Sequence, residues 1–112
     1  MRYMMTVNAG ASAPDEQMYA EMGKFIEELT RAGVLLATGG LDPGTHVTSS
    51  GGKITLTDGP FSESKEVIVS FALLEVRSKE EAIELGRRFM QLHLDHMPGW
   101  EGTCELRAFA GP

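Results

Sequence analysis

The strongest strand signal in the chain is the run VIVSFALLEV, residues 67–76. Its side chains alternate at a period of two, and both faces are largely apolar. One face carries Val67, Val69, Phe71 and Leu73, and the other carries Ile68, Ala72, Leu74 and Val76. A strand that is apolar on both faces needs a covering layer on each side. Helices can supply one layer, and so short a chain leaves no obvious second one. The run therefore predicts that a second copy of the chain covers the other face.

The segments around this run predict three more strands, at 2–8, 34–38 and 103–109, and two helices. Ser12 and Asp15 have the spacing of a capping box before a first helix over 16–32, and Ser78 and Glu81 repeat that spacing before a second helix. Gly86 is expected to let the second helix approach the sheet closely. That helix is expected to bury Ile83, Phe89 and Met90, all apolar.

Glycine pairs mark the expected turns. Gly39-Gly40 is expected to end the second strand, and Gly51-Gly52 separates two short alternating runs at 46–49 and 53–57 that predict a small hairpin. The predicted order is strand, helix, strand, hairpin, strand, helix, strand. It indicates an α+β fold, a ferredoxin-like βαββαβ unit with an antiparallel sheet and a small hairpin insertion.

Composition limits the class of protein. The chain has 112 residues, which suits a single domain over 1–112, and 42% of them are hydrophobic. Its net charge of -6 and its scattered basic residues argue against direct nucleic-acid binding. No segment has the pattern of a signal peptide or the length of a membrane span, so a cytoplasmic protein without membrane contact is expected. Cys104 is the one cysteine and is expected to pack as a small buried hydrophobe.

The segment TDGPFSESKE, residues 57–66, resembles the hallmark of the DGPF branch of the YCII-related family. Shorter segments at 1–4, 32–35, 39–41 and 104–107 also resemble the opening strand, first helix end, second strand and closing strand of that family. The resemblance implies a dimeric α+β barrel, in which two ferredoxin-like sheets face each other around a central space. A homodimer is therefore expected on two grounds, the resemblance and the doubly apolar strand.

The resemblance implies less about activity. Most relatives of this kind are uncharacterised; some are thought to use a His–Asp pair, and one type eliminates chloride from a chlorinated hydroquinone. Genes of the DGPF type often lie near genes for alternative sigma factors, which implies a regulatory link. The paired residues of those relatives come from the first helix and its end. Here the segment 16–32 contains no histidine, and 30–32 reads Thr-Arg-Ala, so the pair cannot be carried over.

Asp58 and Phe61 are the first candidates for a site. A carboxylate held beside the Gly59-Pro60 turn would act as a general base if partial burial raised its pKa. The alternative is that Asp58 caps the turn through the backbone, as Asp-Gly sequences commonly do. Phe61 would shape a pocket for a planar ligand, or else pack as ordinary core.

Three further residues are candidate ligand contacts. Lys65 and Glu66 precede the long strand, where one of them would face the space between subunits and a lysine would bind an anion. The alternative is a solvated charge run ahead of an apolar strand. His46 lies in the predicted hairpin, either near a cleft or in solvent.

No cofactor is expected, and no metal site. His93 and His96 are three residues apart on the second helix and so share a face, but the sequence offers no third ligand for zinc. The chain also lacks a phosphate-binding glycine loop and a dinucleotide fingerprint.

Two functions from different classes stay open at this stage. One is a cofactor-independent enzyme of the lyase, isomerase or dehalogenase kind, acting on a small molecule near residues 58–61 with Asp58 as its base. The other is a non-catalytic metabolite-binding or regulatory module linked to transcription through a sigma factor. The sequence does not decide whether the protein is an enzyme.

Overall fold

The computed structural model describes residues 1–9, 14–59 and 67–111. Within them the chain forms six strands and two helices. In chain order these are β1 (Arg2–Ala9), α1 (Glu16–Arg31), β2 (Leu35–Gly40), β3 (Thr45–Ser50), β4 (Lys53–Asp58), β5 (Val67–Glu75), α2 (Lys79–His96) and β6 (Gly102–Ala108).

Four of the strands form one antiparallel sheet in the order β2-β5-β1-β6. β3 and β4 pair only with each other, as a separate two-stranded ribbon. If that ribbon is left out, the remaining strands in chain order are β1, β2, β5 and β6. The first of them, β1, lies between β5 and β6, and β2 pairs with β5 at one edge of the sheet. This is the ferredoxin-like arrangement, so the predicted α+β fold with an antiparallel sheet and a hairpin insertion is confirmed.

Both helices pack on one face of the sheet, and the core lies between these two layers. β1 shows the alternation that produces this layer, since Tyr3, Met5, Val7 and Ala9 are buried and the residues between them are half-buried. Leu74 of β5 and Met18 of α1 are completely buried in the same layer. The core side of the long strand is therefore the predicted face for Ala72, Leu74 and Val76. Ile68 of that predicted face is instead 46% exposed, and Val69 of the other face packs against the core, because the pairing with β1 shifts register between Val7 and Asn8.

The opposite face of the sheet has no layer of helix or strand on it among the described residues. It carries Met4, Ala37, Phe71 and Leu73, which the strand register places side by side and which do not belong to the core. We call this surface the open face. The molecule is accordingly thin, with a shortest dimension of 19 Å.

The helix ends follow local hydrogen bonding. Asp15 caps α1 by accepting a hydrogen bond from the Met18 amide at 2.8 Å, so Asp15 is the cap itself rather than the third helical residue of a capping box. Ser12 lies outside the described residues. At α2 the prediction is confirmed, because the Ser78 hydroxyl accepts from the Glu81 amide at 3.1 Å.

Two local predictions are wrong. Gly39 and Gly40 do not form a turn; they continue β2 and pair with Phe71 and Ser70 of β5. The pairing partner β5 outweighs the turn preference of glycine at this position. Ile83 is exposed instead of buried, because α2 turns the stripe of Ala82, Leu85 and Phe89 toward the sheet. No helix in residues 1–9, 14–59 and 67–111 is long and apolar enough to cross a membrane.

Candidate functional site

A cavity of about 320 Å³ lies between the sheet and the two helices. Its floor is formed by side chains of β1, β2 and β5, including Val7, Thr38 and Ala72, and its roof by α1 and α2. The connection from α2 to β6 closes one side with Met97 and Trp100. A volume of this size lies at the lower end of the range of natural small-molecule sites.

The described lining of this cavity contains no Asp, Glu, Lys or Arg side chain. Most of it is aliphatic or aromatic, with Met5, Met22, Phe25 and Phe89 as large contributors. The polar lining side chains are few: Tyr19, Thr38, Ser70 and His93, with the indole of Trp100 beside them. The Thr38 hydroxyl already donates to the Phe71 carbonyl at 2.8 Å. A bound molecule would therefore meet an apolar wall with isolated polar groups.

His93 is the buried polar residue of this wall, with only 7% of its surface exposed. Its Nδ1 lies 2.9 Å from the Phe89 carbonyl one helical turn earlier. A carbonyl oxygen only accepts, so Nδ1 carries the proton in this bond and Nε2 presents a lone pair. Nε2 bonds to none of the described residues, which leaves an acceptor for a ligand.

Burial lowers the pKa of His93 below its usual 6.5, because removal from water penalises the charged imidazolium. The hydrogen bond to the Phe89 carbonyl acts in the opposite direction and is the smaller effect. No charged side chain of the described lining offsets the loss of hydration. His93 is therefore neutral at pH 7, and its Nε2 can accept a hydrogen bond or a proton.

Two aromatic rings contact the imidazole. The Phe89 ring meets it edge-on, at 4.9 Å between centroids and 80° between planes. The Trp100 indole is tilted against it, at 4.0 Å between centroids and 33° between planes. Phe89 is in turn stacked on Phe25 of α1 at 6.0 Å. This row of rings fixes the direction of Nε2 before any ligand arrives.

The two helices are also joined at the surface next to these rings. Arg88 of α2 reaches both carboxylate oxygens of Glu28 on α1, at 2.8 and 2.9 Å, and its guanidinium lies 4.8 Å above the Phe25 ring. The pair is largely exposed, so we ascribe to it positioning of the helices rather than much stability.

Trp100 reaches His93 because the chain turns sharply after α2. The Trp100 amide donates to the Met97 carbonyl at 3.0 Å, and Gly99 adopts a φ of 81°, which favours glycine. Gly102 then gives the indole room, since a Cβ there would lie 2.4 Å from the Trp100 ring. The turn and this glycine together place the indole at the cavity.

Two of the residues that the sequence singled out, Asp58 and His46, lie away from this cavity. Asp58 is exposed at the end of β4, where its Oδ1 accepts a hydrogen bond from the Thr45 hydroxyl at 2.7 Å. His46 is exposed on β3, opposite Thr57. Neither residue lines the cavity. Phe61, Lys65 and Glu66 lie outside the described residues, and their proposed ligand contacts stay predictions.

The histidine pair of α2 is divided between two environments. His93 faces the cavity with Nδ1 already bonded, and His96 is outside the lining. Across residues 1–9, 14–59 and 67–111, no three His, Cys, Asp or Glu side chains are grouped as metal ligands. Cys104 is half-buried on β6, where burial first and the charge of Glu105 second raise the pKa of its thiol to about 11.

Sequence reasoning missed the cavity, although one signal for it was present. The buried residues of α2 form a regular stripe of Ala82, Leu85, Gly86, Phe89 and His93. A histidine that continues an apolar stripe is buried with it, so its ring nitrogens need partners. The contribution of Trp100 had no comparable signal, since it depends on the turn after α2.

The comparisons with known proteins identify a family but name no activity. An uncharacterised protein of Rhizobium meliloti (strain 1021) is 29% identical over 106 residues, which cover 92% of this chain and 82% of that relative. The family model for the YCII-related domain matches residues 1–91, a region that ends just before His93 and Trp100. On this match, the chain belongs to the YCII-related family.

Proposed function

We propose that the protein binds a small, neutral, mostly apolar molecule in the cavity between the sheet and the helices. The observation that carries this proposal is His93 itself, buried in an apolar wall with a lone-pair nitrogen that no described residue bonds. Because Nδ1 is already bonded to the Phe89 carbonyl, a donor group of a ligand would meet His93 at Nε2, which accepts.

The size and the charge of the cavity support the same kind of ligand. About 320 Å³ suits a molecule of one to three rings. A charged ligand would lose its hydration without gaining an ion pair, because the described lining has no charged side chain. A neutral molecule that offers one hydrogen-bond donor to Nε2 meets both conditions.

The same geometry favours His93 as the base if the bound molecule is also transformed. A neutral imidazole with a fixed tautomer can take a proton from a ligand hydroxyl or carbon acid. Catalysis by Asp58, the regulatory role linked to a sigma factor and the assignment to the DGPF branch each stay predictions.

The test is binding of the fluorescent amine N-phenyl-1-naphthylamine, which is neutral, apolar and carries one N–H donor. We expect its emission to rise on binding and the emission of Trp100, the one tryptophan of the sequence, to fall by energy transfer. Ala72→Leu places three extra carbons in the cavity floor and is expected to weaken binding at least tenfold. His93→Leu removes the acceptor and keeps an apolar surface, and is expected to weaken binding about fivefold.

Ala37→Leu is the matched control, because Ala37 lies on the neighbouring strand β2, on the open face and outside the cavity lining. It should leave binding unchanged. Circular dichroism of each variant checks that it is folded. Equal binding by Ala72→Leu and the unaltered protein would place the amine elsewhere on the molecule and end the proposal.

A further inference from the structure

The lining of the cavity changes in character along the strands. The pairing register places Leu35 of β2 opposite Leu74 of β5, and both side chains are buried. Two residues before Leu74 on β5 is Ala72, and two residues before that is Ser70, which carries a hydroxyl. At about 3.3 Å per residue, Leu74 and Ser70 lie roughly 13 Å apart. All four residues line the cavity, which therefore extends along the sheet from an apolar row to a more polar one.

Helix α1 contributes a third leucine to the apolar row. Leu29, near the C-terminal end of α1, is buried and lines the cavity. Its carbonyl accepts a hydrogen bond from the Val34 amide at 3.0 Å, which holds it beside the start of β2. Leu29, Leu35 and Leu74 are each 8% exposed or less. We call these three side chains the leucine end of the cavity.

His93 lies at the opposite end. The Trp100 ring contacts the His93 ring and also lies against Gly102 of β6. Gly102 pairs with Ala9, the last residue of β1, whereas Leu74 lies opposite the beginning of that strand. The acceptor Nε2 of His93 is therefore separated from the three leucines by most of the length of the sheet. We call the part of the cavity beside His93 and Trp100 the histidine end.

The cavity meets solvent on the histidine side. Gly40, the last residue of β2, pairs with Ser70, and Tyr19 lies near the N-terminal end of α1. Both Gly40 and Tyr19 line the cavity and are exposed, with Tyr19 at 59%. A ligand would enter where the lining is exposed, so the buried leucine end is the closed end of the cavity.

We propose that the cavity takes a linear amphipathic molecule, with one hydroxyl group and an unbranched alkyl tail, and that this molecule binds tail first. The inference rests on the proposed function, because it needs a neutral ligand that donates to Nε2 of His93. The tail fills the leucine end, where burial of each CH₂ group is favourable. The reverse orientation would bury the hydroxyl among three leucines without a hydrogen-bond partner.

The distance between the two ends sets the length of the tail. An extended alkyl chain advances about 1.3 Å per carbon, since its C–C bonds are ~1.5 Å long and alternate in direction. A tail of about ten carbons therefore spans the roughly 13 Å between the rows of Ser70 and Leu74. The substrate class is accordingly a medium-chain primary alcohol, and 1-decanol is the probe.

The first experiment measures the orientation with brominated probes, because a bromine atom quenches indole emission on contact. 2-Bromo-1-decanol carries the bromine beside the hydroxyl, and 10-bromo-1-decanol carries it at the end of the tail. We expect both to displace N-phenyl-1-naphthylamine, and only the first to quench Trp100, the one tryptophan of the sequence, more than 1-decanol does. Equal quenching by both, stronger quenching by the second, or no displacement would each overturn the inference.

The second experiment measures the chain length that the leucine end accepts. In the unaltered protein we expect affinity to rise about tenfold for every two carbons from 1-hexanol to 1-decanol. Leu35→Phe adds bulk to the leucine end, so 1-decanol should bind no more tightly than 1-octanol, with 1-hexanol unchanged. Leu36→Phe is the matched control, since Leu36 is the next residue of β2, is exposed and lies outside the lining. It should keep the series of the unaltered protein.

The outcomes separate this inference from the proposed function. The same affinity for all three alcohols, with Ala72→Leu still blocking N-phenyl-1-naphthylamine, would end the inference and leave the proposed function standing. An amine that ignores Ala72→Leu would end both. The brominated probes need no variant, so they decide the orientation even if circular dichroism shows that Leu35→Phe does not fold.

Discussion

The imidazole of His93 and the indole of Trp100 lie 4.0 Å apart between ring centroids, inclined at 33°. Six residues and a sharp turn separate them in the chain, yet both line the cavity. Trp100 is the only tryptophan of the chain, so its emission reports on this contact and on the protonation of His93. This contact makes two of the following predictions measurable by fluorescence.

Stability is expected to depend on pH through His93. Its pKa in the folded protein lies below 6.5, so the unfolded chain binds the proton more readily. The stabilisation is fully present above pH 6.5 and is lost as the pH falls toward the folded-state pKa. We expect urea unfolding, followed by Trp100 emission, to show a falling free energy of unfolding over that range.

His93→Gln removes the titrating group and keeps a polar side chain, and should flatten this part of the profile. His96→Gln is the control on the same helix, since His96 does not line the cavity, and should keep the profile of the unaltered protein. If His93→Gln and the unaltered protein lose stability in parallel below pH 6.5, His93 is not the responsible group.

The fold was predictable because each element carries its own period. The run 67–76 alternates as a strand does, and Ser78 and Glu81 mark the start of α2 with the spacing of a capping box. Gly39-Gly40 is a case in which the local pattern gave the wrong prediction. Glycine pairs are typical of turns, but here both glycines pair with β5 and extend β2. Pairing with a distant strand is invisible to a local pattern.

The cavity was not predictable for a related reason. Five elements contribute to it, and His93 is a candidate only because Phe89 and Trp100 pack against its ring. Asp58 was a candidate because it is a carboxylate in a distinctive segment, but it lies exposed at the end of β4, in the hairpin with β3. Gly86, in contrast, was rightly expected to allow close approach, since a Cβ there would lie 3.3 Å from the Cys104 sulfur.

Cys104 is expected to react slowly with iodoacetamide in the folded protein. Burial and the Glu105 charge raise the pKa of the thiol from 9.0 to about 11, and only the thiolate is nucleophilic. Two pKa units reduce the thiolate fraction at pH 8 about 100-fold relative to the unfolded chain. Mass spectrometry of a time course with and without urea measures the ratio. Equal rates with and without urea would show that folding neither buries the Cys104 thiol nor raises its pKa.

Gly102→Ala is expected to displace Trp100 from His93. The new Cβ would lie 2.4 and 2.6 Å from two indole carbons and 2.9 Å from the Asn8 carbonyl oxygen, so the ring must move. Overpacking of this kind costs about 1–3 kcal/mol in the free energy of unfolding. Urea unfolding measures that loss, and a red-shifted emission reports the exposed indole.

Gly23→Ala is the control. Gly23 is exposed on α1 with nothing within 4 Å of a new Cβ, and alanine there should stabilise the helix by up to ~1 kcal/mol. An unshifted emission with unchanged stability in Gly102→Ala would mean that the indole does not occupy this position.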